Sequence, residues 1–451
     1  MKIPLLPPDH QQLLHHLQES DAVTLAKVCN SGIKADYKGK YYHWDILRHL
    51  ENPHSGLNHE EWWLAIKLAR KPLFKEIPHK DKYGKPFVFG EPDIIRKLLH
   101  QIDIHGAGEI KSSEQVANPN TRDTYLINSL IEESITSSQL EGAATTRQVA
   151  KEMIRQNRKP RDRSEKMILN NYYAMQFIND IQNEDLTPEL VLELHKILTE
   201  GTLDNPDAVG KLRTSNDIYT GDERDATILH EPPNVAELPE RLVNICRFCN
   251  APDSTGFMHP VIKAILLHFL LAYDHPFEDG NGRAARALFY WSMLKQGYWA
   301  MEFISISRIL KNAPAKYARA YLYTETDQND TTYFIDHQLG VILSAIKELF
   351  VYLEKKSKEI KTVQALIDKS ITLQKATNHR QIALINRALK KPDSYFTIES
   401  HKGSHNVAYD TARTDLLTLV ELGLLEKTKI AKAYAFTPVS DFKNKLIALG
   451  T

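Results

Sequence analysis

Residues 274–286 read DHPFEDGNGRAAR. His275, the carboxylates Asp274, Glu278 and Asp279, a Gly280-Asn281-Gly282 turn, and Arg283 and Arg286 all fall inside this one stretch. The segment before it, VIKAILLHFLLAY (261–273), is rich in Leu and Ala and too long for a strand, so it reads as a buried helix. The segment after it, ARALFYWSMLKQG (285–297), is again helical and ends at Gly297. The glycine turn therefore falls at a helix N-terminus, where unpaired backbone N–H groups and the positive end of the helix dipole face outward. Arg283 and Arg286 are three apart and share a helix face. Two guanidinium forks beside exposed amide donors suit a polyphosphate. Asp279 stands where a hard cation bridging phosphates wants a carboxylate. His275, at the end of the preceding helix, is placed to take a proton from a hydroxyl attacking next to the bound phosphate.

Two other phosphate motifs are excluded. GNGRAA fits the dinucleotide pattern G-x-G-x-x-A, but that pattern needs a preceding strand, and here the preceding segment is helical. No G-x-x-x-x-G-K-[S/T] occurs, and AVGKL (208–212) lacks both the first glycine and the hydroxyl residue. A glycine turn between helices with surface ion pairs would explain any one of these residues. It does not explain base, carboxylate, Gly-x-Gly turn and arginine pair together.

HPFEDGNGRAAR resembles the signature H-P-F-x-[D/E]-G-N-G-R-x-x-R of the Fic family, with every defined position filled. The best-known members of that family transfer AMP from ATP to protein hydroxyls. The resemblance extends over a helical core from about residue 120 to 350. It implies that His275 is the general base and that Asp279 holds Mg²⁺ between the α- and β-phosphates. Gly280, Asn281 and Gly282 would form the anion nest, with Asn281 on the α-phosphate. Arg283 would help hold the phosphates, Arg286 would meet the γ-phosphate, and Ser138 is placed with the nucleotide. Glu278, at the free position of the signature, is read as solvated. SSQLEG (137–142) fits the family's inhibitory pattern [S/T]-x-x-x-E-[G/N] through Ser137, Glu141 and Gly142, in the subclass with an N-terminal inhibitory helix. Read without the family, the same residues are a helix end closed by glycine. LRTSNDIYTGDERDATILHEPP (212–233) carries two β-like patches, NDIYT and ATILH, around Gly221 and reads as a hairpin flap or a surface loop. In the family such a flap registers the target segment by strand pairing.

The rest of the chain sets bounds on this reading. Its 451 residues allow two or three domains of about 100–200 residues each. Formal net charge is zero, so the molecule as a whole offers no general attraction to nucleic acid or anionic lipid. The first residues have too short an apolar run for a signal peptide, and no stretch reaches the ~18 apolar residues of a spanning helix. Three cysteines argue against a disulfide framework and fit a reducing cytosol. Cys246 and Cys249 form a lone C-x-x-C on an amphipathic helix, and Cys29 does not complete a zinc set.

Residues 34–44 look like a hairpin or a loop with strand character and 81–93 like a hairpin, around a helical EEWWLAIKLAR (60–70). Helical patterns then cover 124–140, 163–182, 187–201, 235–250 and 331–360, with Thr187-Pro188 as a helix start. Residues 396–426 read helix–turn–helix and 426–438 a two-stranded wing. The expected fold is mainly α. It comprises an α+β region over 1–110, an all-helical Fic core over 111–350 with the inhibitory helix near 125–142, a linker helix over 351–378, and a winged helix-turn-helix over 379–451. The expected activity is a cytoplasmic protein adenylyltransferase acting on Ser, Thr or Tyr hydroxyls, with ATP as co-substrate and Mg²⁺ as cofactor, held back by Glu141. A homodimer is compatible with this, and a membrane is not involved.

The alternatives are a Fic enzyme that removes AMP or uses another donor, and a DNA-binding regulator with a Fic sensor. In the second case Lys402, Arg413, His401 and His405 would face DNA, with Lys427, Lys429 and Lys432 on the wing. Asp410 and Asp415 on the recognition helix oppose it, because useful affinity needs about six or more phosphate contacts.

Overall fold

The computed structural model of the chain describes residues 2–107, 119–222, 227–252, 256–367, 373, 376–390, 394–430 and 433–449. The helices, in order, are α1 (His10–Ser20), α2 (Ala22–Asn30), α3 (Trp44–Leu47), α4 (His59–Arg70), α5 (Asp93–Gly106), α6 (Pro119–Leu140), α7 (Arg147–Arg155), α8 (Arg163–Asp180), α9 (Pro188–Thr199) and α10 (Leu238–Asn250). They continue with α11 (Pro260–Asp274), α12 (Asn281–Lys295), α13 (Ile306–Asn312), α14 (Pro314–Thr326), α15 (Thr332–Ile367), α16 (His379–Lys390), α17 (Ile398–His405), α18 (Tyr409–Glu421) and α19 (Phe442–Ala448). Three antiparallel pairs complete the fold: β1 (Phe74–Lys80) with β2 (Pro86–Gly90), β3 (Thr220–Asp222) with β4 (Thr227–His230), and β5 (Leu425–Ile430) with β6 (Ala433–Pro438).

The mainly helical expectation holds, and the reason lies in the middle of the chain. α11 is apolar on nearly every face, and both α11 and α12 are buried almost throughout. A helix that is apolar all round must be surrounded, and α5, α6, α8, α9, α10 and α15 contribute to the core that does so. Local signals set the ends. Thr187 caps α9 by accepting from Leu190 N, with Pro188 in the first turn. Asn58 and Glu61 close α4 with a capping box. Among the described residues no helix is long and apolar enough to cross a membrane.

The structure sharpens two local readings. Residues 34–44 form a loop with one bridge, Tyr37 to Lys40, because Trp44 already begins α3. In the 212–233 hairpin the first strand starts only at Thr220, so most of NDIYT lies outside it; Arg224 and its neighbours 223–226 lie outside the described residues. α15 runs unbroken from Thr332 to Ile367, in line with the long helical pattern over 331–360.

The first hundred residues are bonded onto the turn that precedes α15. Lys67 Nζ donates to Asp327 Oδ1 at 2.9 Å, and both groups are buried. Arg70 donates to Tyr333 Oη at 2.7 Å and to the carbonyls of Ala35 and Tyr42. Tyr41 donates to Asp330 at 2.7 Å, and β2 trades backbone bonds with Asn329 and Thr331 through Val88. Cys246 and Cys249 are buried on α10, where burial pushes both thiols up to about 12 and keeps them protonated and inert at neutral pH.

The last sixth of the chain has its own core, built from α16, α18, β5, β6 and α19 around Leu384, Leu416 and Phe436. At its heart Asp415 accepts from Arg380 Nε (2.6 Å), Asn378 Nδ2 (2.7 Å) and His401 Nε2 (2.9 Å). His401 is buried, and burial followed by the His401 ring pushes His405 down to about 3. Of the two histidines the DNA reading used, His401 is buried and His405 half-buried, whereas Lys402, Arg413, Lys427 and Lys429 are exposed; Lys432 lies outside the described residues. α17 packs against α6 and α7, and Tyr395 Oη donates to Glu152 at 2.7 Å.

Burial alone would raise the Asp327 carboxyl, but the Lys67 and Arg70 charges outweigh it and hold the group below its usual range. Its contribution is therefore present above the unfolded value of ~3.9 and is lost as pH falls through the lower folded value. Asp327→Ala should leave Lys67 buried without this partner and cost about 3–5 kcal/mol. Urea midpoints across pH 2–7 should show that loss at neutral pH and its disappearance in acid.

Candidate active site

α11 ends at His275, whose backbone is left-handed (φ 45°, ψ 56°) and whose N–H closes on Leu271 O at 3.1 Å. That conformation is uncommon for a residue with a side chain. It turns the chain out of α11 so that residues 276–280 can loop round to start α12. Gly280 is the N-cap of α12 at φ 85°, and a Cβ there would lie 2.9 Å from Thr199 Cγ2, so both backbone and space require glycine.

The loop is held from inside. Asn281 is buried; its Oδ1 accepts from Phe277 N at 2.9 Å and its Nδ2 donates to Phe277 O at 2.8 Å. The side chain expected on an α-phosphate thus clasps its own loop, and the nest presents backbone donors. His195 on α9 stacks on Phe277 with ring centroids 3.8 Å apart. Its Nδ1 accepts from Gly210 N at 3.1 Å, so the proton is on Nε2, which donates to Asp279 O at 2.9 Å. Burial pushes this imidazole down to about 4, which keeps it in that neutral tautomer.

The charged groups ring the nest. Asp279 Oδ1 accepts from Gly280 N at 2.5 Å, and Oδ2 meets Arg283 Nη2 at 3.2 Å, with the carboxylate 43% exposed. Arg283 is buried and donates to Leu198 O at 3.2 Å; its Nε has no partner among the described residues. Arg286 is buried and donates from Nη2 to Glu141 Oε1 at 2.7 Å. Ser137 supports the same guanidinium, its Oγ accepting from Nε at 3.0 Å and its carbonyl from Nη2 at 3.1 Å. The Glu141 carboxylate lies directly over the start of α12, where a Cβ on Gly282 would come 2.3 Å from Glu141 Oε1. Gly142, at φ 91°, turns the chain away immediately afterwards.

The structure therefore gathers His275, Asp279, Gly280, Asn281, Gly282, Arg283, Arg286, Ser137, Glu141 and Gly142 into one place. Ser138 is the exception. Its hydroxyl is fully buried and donates to Met167 O on α8 at 3.2 Å. It faces away from the nest because adjacent residues of a helix point about 100° apart. Glu278 meets Asn205 Nδ2 at 3.2 Å near the surface.

Several neighbours carry no signal in the sequence. His230, at the end of β4, stands with Nε2 2.7 Å from Tyr273 O and Nδ1 2.9 Å from Glu325. Tyr317 bonds His268 Nε2 at 2.7 Å beside Arg286. Asp274 accepts from Arg241 and lies 3.0 Å from His79, which ties β1 to the residue before His275. Arg213 reaches His275 O. All are long-range contacts that no local spacing encodes.

Residues 185–293 match the family model described as Fic/DOC family. The chain is 35% identical over 127 residues to the protein adenylyltransferase Fic of Drosophila ananassae, a match covering 28% of this chain and 23% of that protein. The Drosophila melanogaster protein of the same name matches at 35% over 127 residues, 28% of this chain and 24% of its own length. The chain thus spans about a quarter of the length of these curated relatives. Among solved structures, a Fic family protein from Desulfovibrio desulfuricans G20 covers 77% of this chain and 96% of its own, at 17% identity and a TM-score of 0.49. The motif 274–286 falls wholly inside the segment that is similar to the Fic/DOC family.

Burial pushes the His275 imidazole down to about 4; His230 and Arg213 add to this, and Glu141 opposes it. The ring is therefore neutral at pH 7. Protonation favours the unfolded chain, so stability is full above ~6.5 and falls as pH drops toward 4. An NMR titration of ring-labelled histidine should show His275 unprotonated until about pH 4, well below a solvated histidine; a midpoint near 6.5 would contradict the packing.

Proposed function

We propose that this chain transfers AMP from ATP to a Ser, Thr or Tyr hydroxyl of a target protein and that Glu141 holds it in a restrained state. The observation that carries the reading is the placement of His275, the glycine nest and Arg286 at one helix N-terminus, inside the segment that matches the Fic/DOC family model, in a chain similar over 127 residues to relatives named protein adenylyltransferase.

The phosphates of ATP would lie on the amides at the start of α12, with Arg283 against them, its Nε free to donate. Asp279 fits a hard cation as a single half-exposed carboxylate beside the nest. Mg²⁺ typically takes one or two carboxylates and completes its shell with water and phosphate oxygens. Mg²⁺ bound there would neutralise charge on the α- and β-phosphates. Ser138 has no part, because its hydroxyl is committed to Met167 O.

The target hydroxyl oxygen attacks the α-phosphorus, its proton passes to His275, and the bond to the bridging oxygen breaks to release pyrophosphate. A histidine near ~6.5 matches this task best. Here burial holds it at about 4, and the negative charge of bound ATP would raise it toward the working range. The hairpin of β3 and β4 lies against the same ground through His230 and Tyr273, and its edge would pair with the target segment.

Glu141 restrains the reaction by occupying Arg286. While that pair lasts, the guanidinium cannot meet a γ-phosphate, and the carboxylate repels one. A nucleotide entering would sit with its α-phosphorus out of line, and misplacement of about 1 Å can cost about 100-fold in rate.

For the last sixth of the chain, three helices followed by the β5–β6 hairpin support a winged-helix reading as a docking unit. DNA binding is not favoured, since Asp415, His401 and Arg380 pair with one another inside.

With α-labelled ATP and Mg²⁺, Glu141→Gly should label itself or a lysate protein about 100-fold faster than the parent. Arg286→Ala should not mimic it, and the double variant should behave as Arg286→Ala alone. His275→Ala should abolish labelling in the Glu141→Gly background while ATP still binds. No labelling by Glu141→Gly across nucleotide donors would refute the transfer reading. Equal labelling by Glu141→Gly and the parent would refute the restraint.

A further inference from the structure

Arg213 stands where the 212–233 hairpin leaves the core, and it is buried at 3% exposure. Its Nε donates to His275 O at 2.9 Å, its Nη1 to Ser215 O at 2.7 Å and its Nη2 to Pro233 O at 2.5 Å. Its own backbone N–H donates to Pro276 O at 2.9 Å. One rigid plane therefore grips three carbonyls: the two roots of the hairpin and the left-handed peptide of His275. All these bonds run to neutral oxygens. Burial of the guanidinium lowers its pKa, with Asp274 opposing from the side. A buried cation held by carbonyls is a costly way to brace a loop, since an apolar side chain would pack there with no desolvation penalty. A planar fork with fixed donor directions is what such a three-point grip requires.

The geometry points to Arg213 as a positioning residue that couples the base to the target-docking hairpin, so that His275 is aimed only when both roots of the hairpin are seated. The inference rests on the reading of His275 as base and of the hairpin as docking edge. The nest, Asp279 and Arg286 lie on the α12 side of the loop and take none of their bonds from Arg213. Loss of the grip should therefore damage the chemical step and spare nucleotide binding. The left-handed residue would relax, the hairpin roots would part, and water would reach the ring. The groups facing that ring are His230 from β4, Glu141 from the end of α6 and Arg213 itself. Losing the Arg213 charge and the burial both move the ring's titration upward.

The test is made in full-length Glu141→Gly protein. Arg213→Gln should lower kcat for AMP transfer by about 100-fold, as expected for misaimed groups, with the Kd for Mg-ATP within twofold of the parent. Arg213→Lys keeps the charge but offers one ammonium in place of the fork, so it should not restore the rate. The His275 ring midpoint, read by NMR, should move up from about 4 in Arg213→Gln. Transfer within twofold of the parent, full rescue by lysine, or loss of ATP affinity in step with the rate would each overturn the proposal. If Arg213→Gln does not fold, the lysine variant decides on the same criteria. If Glu141→Gly with Arg213 intact transfers nothing, the transfer reading has failed on its own. The ring midpoint then decides the coupling, and an unmoved midpoint overturns it.

Discussion

A guanidinium taken out of water must find acceptors, and Arg286 is only 2% exposed. Much of the site can be derived from that demand. α12 has to begin at Gly280 so that Arg286 falls on its second turn beneath the nest, and α6 has to run alongside so that Ser137 and Glu141 can reach it. Three oxygens from one short segment then satisfy a single side chain. The pairing is local and charge-assisted, and it carries much of its weight because the surrounding helices exclude water. The glycine nest and the carboxylate that covers it are two sides of one electrostatic arrangement.

The loop between α11 and α12 shows how much scaffolding a short motif needs. His195 stacks under Phe277 and holds Asp279 O, while Asn281 laces the loop to itself. Arg213 fixes the carbonyl of His275. Behind it, Asp274 joins Arg241 and His79, so strand β1 from the first hundred residues abuts the residue next to His275. Lys82, in the β1–β2 turn, donates to Glu231 beside β4 at 2.9 Å, which brings the same hairpin against the 212–233 segment. The N-terminal region is thus built into the walls of the site, through contacts that span from 149 to 195 positions in sequence.

What the sequence made legible was local. The spacing of His275, Asp279 and Arg286 could be read because a helix end, a turn and a helix start follow one another directly, and the apolar runs on both sides left only buried helices as an option. Glu141 was legible through a pattern of residue types. Ser138 was misplaced because Ser137 and Ser138 are neighbours on one helix and only packing decides which of them faces Arg286; α8 takes one and α12 the other. NDIYT alternates like a strand, yet Asn216 accepts from Val235 N and Asp217 from Ser215 Oγ, and these side-chain bonds hold the segment as a loop. His401 and Asp415 looked like surface charges on a helix-turn-helix, and their mutual bond put both inside. For Ser138 and the His401–Asp415 pair, a tertiary contact overrides a short-range preference, while in NDIYT side-chain bonds local to the loop add to one from Val235.

One feature of α6 bears on how the site can change state. Midway along it, Glu133 is buried and accepts from Tyr290 Oη, from Ser305 Oγ and from both N–H and Oγ of Ser307. Ser129 and Thr136 add bonds to Ile304 and Ser305 on the same side. A carboxylate held by four donors is a rivet, and it sits two turns ahead of Glu141. Sliding or lifting the whole helix would have to break it, whereas unwinding the final turn would not. Motion of the covering carboxylate thus belongs to the class of local openings, with a free energy set by a few terminal bonds rather than by the stability of the fold. The timescale of such fraying is decoupled from that of unfolding, so the chain can be both very stable and quick to uncover its nest.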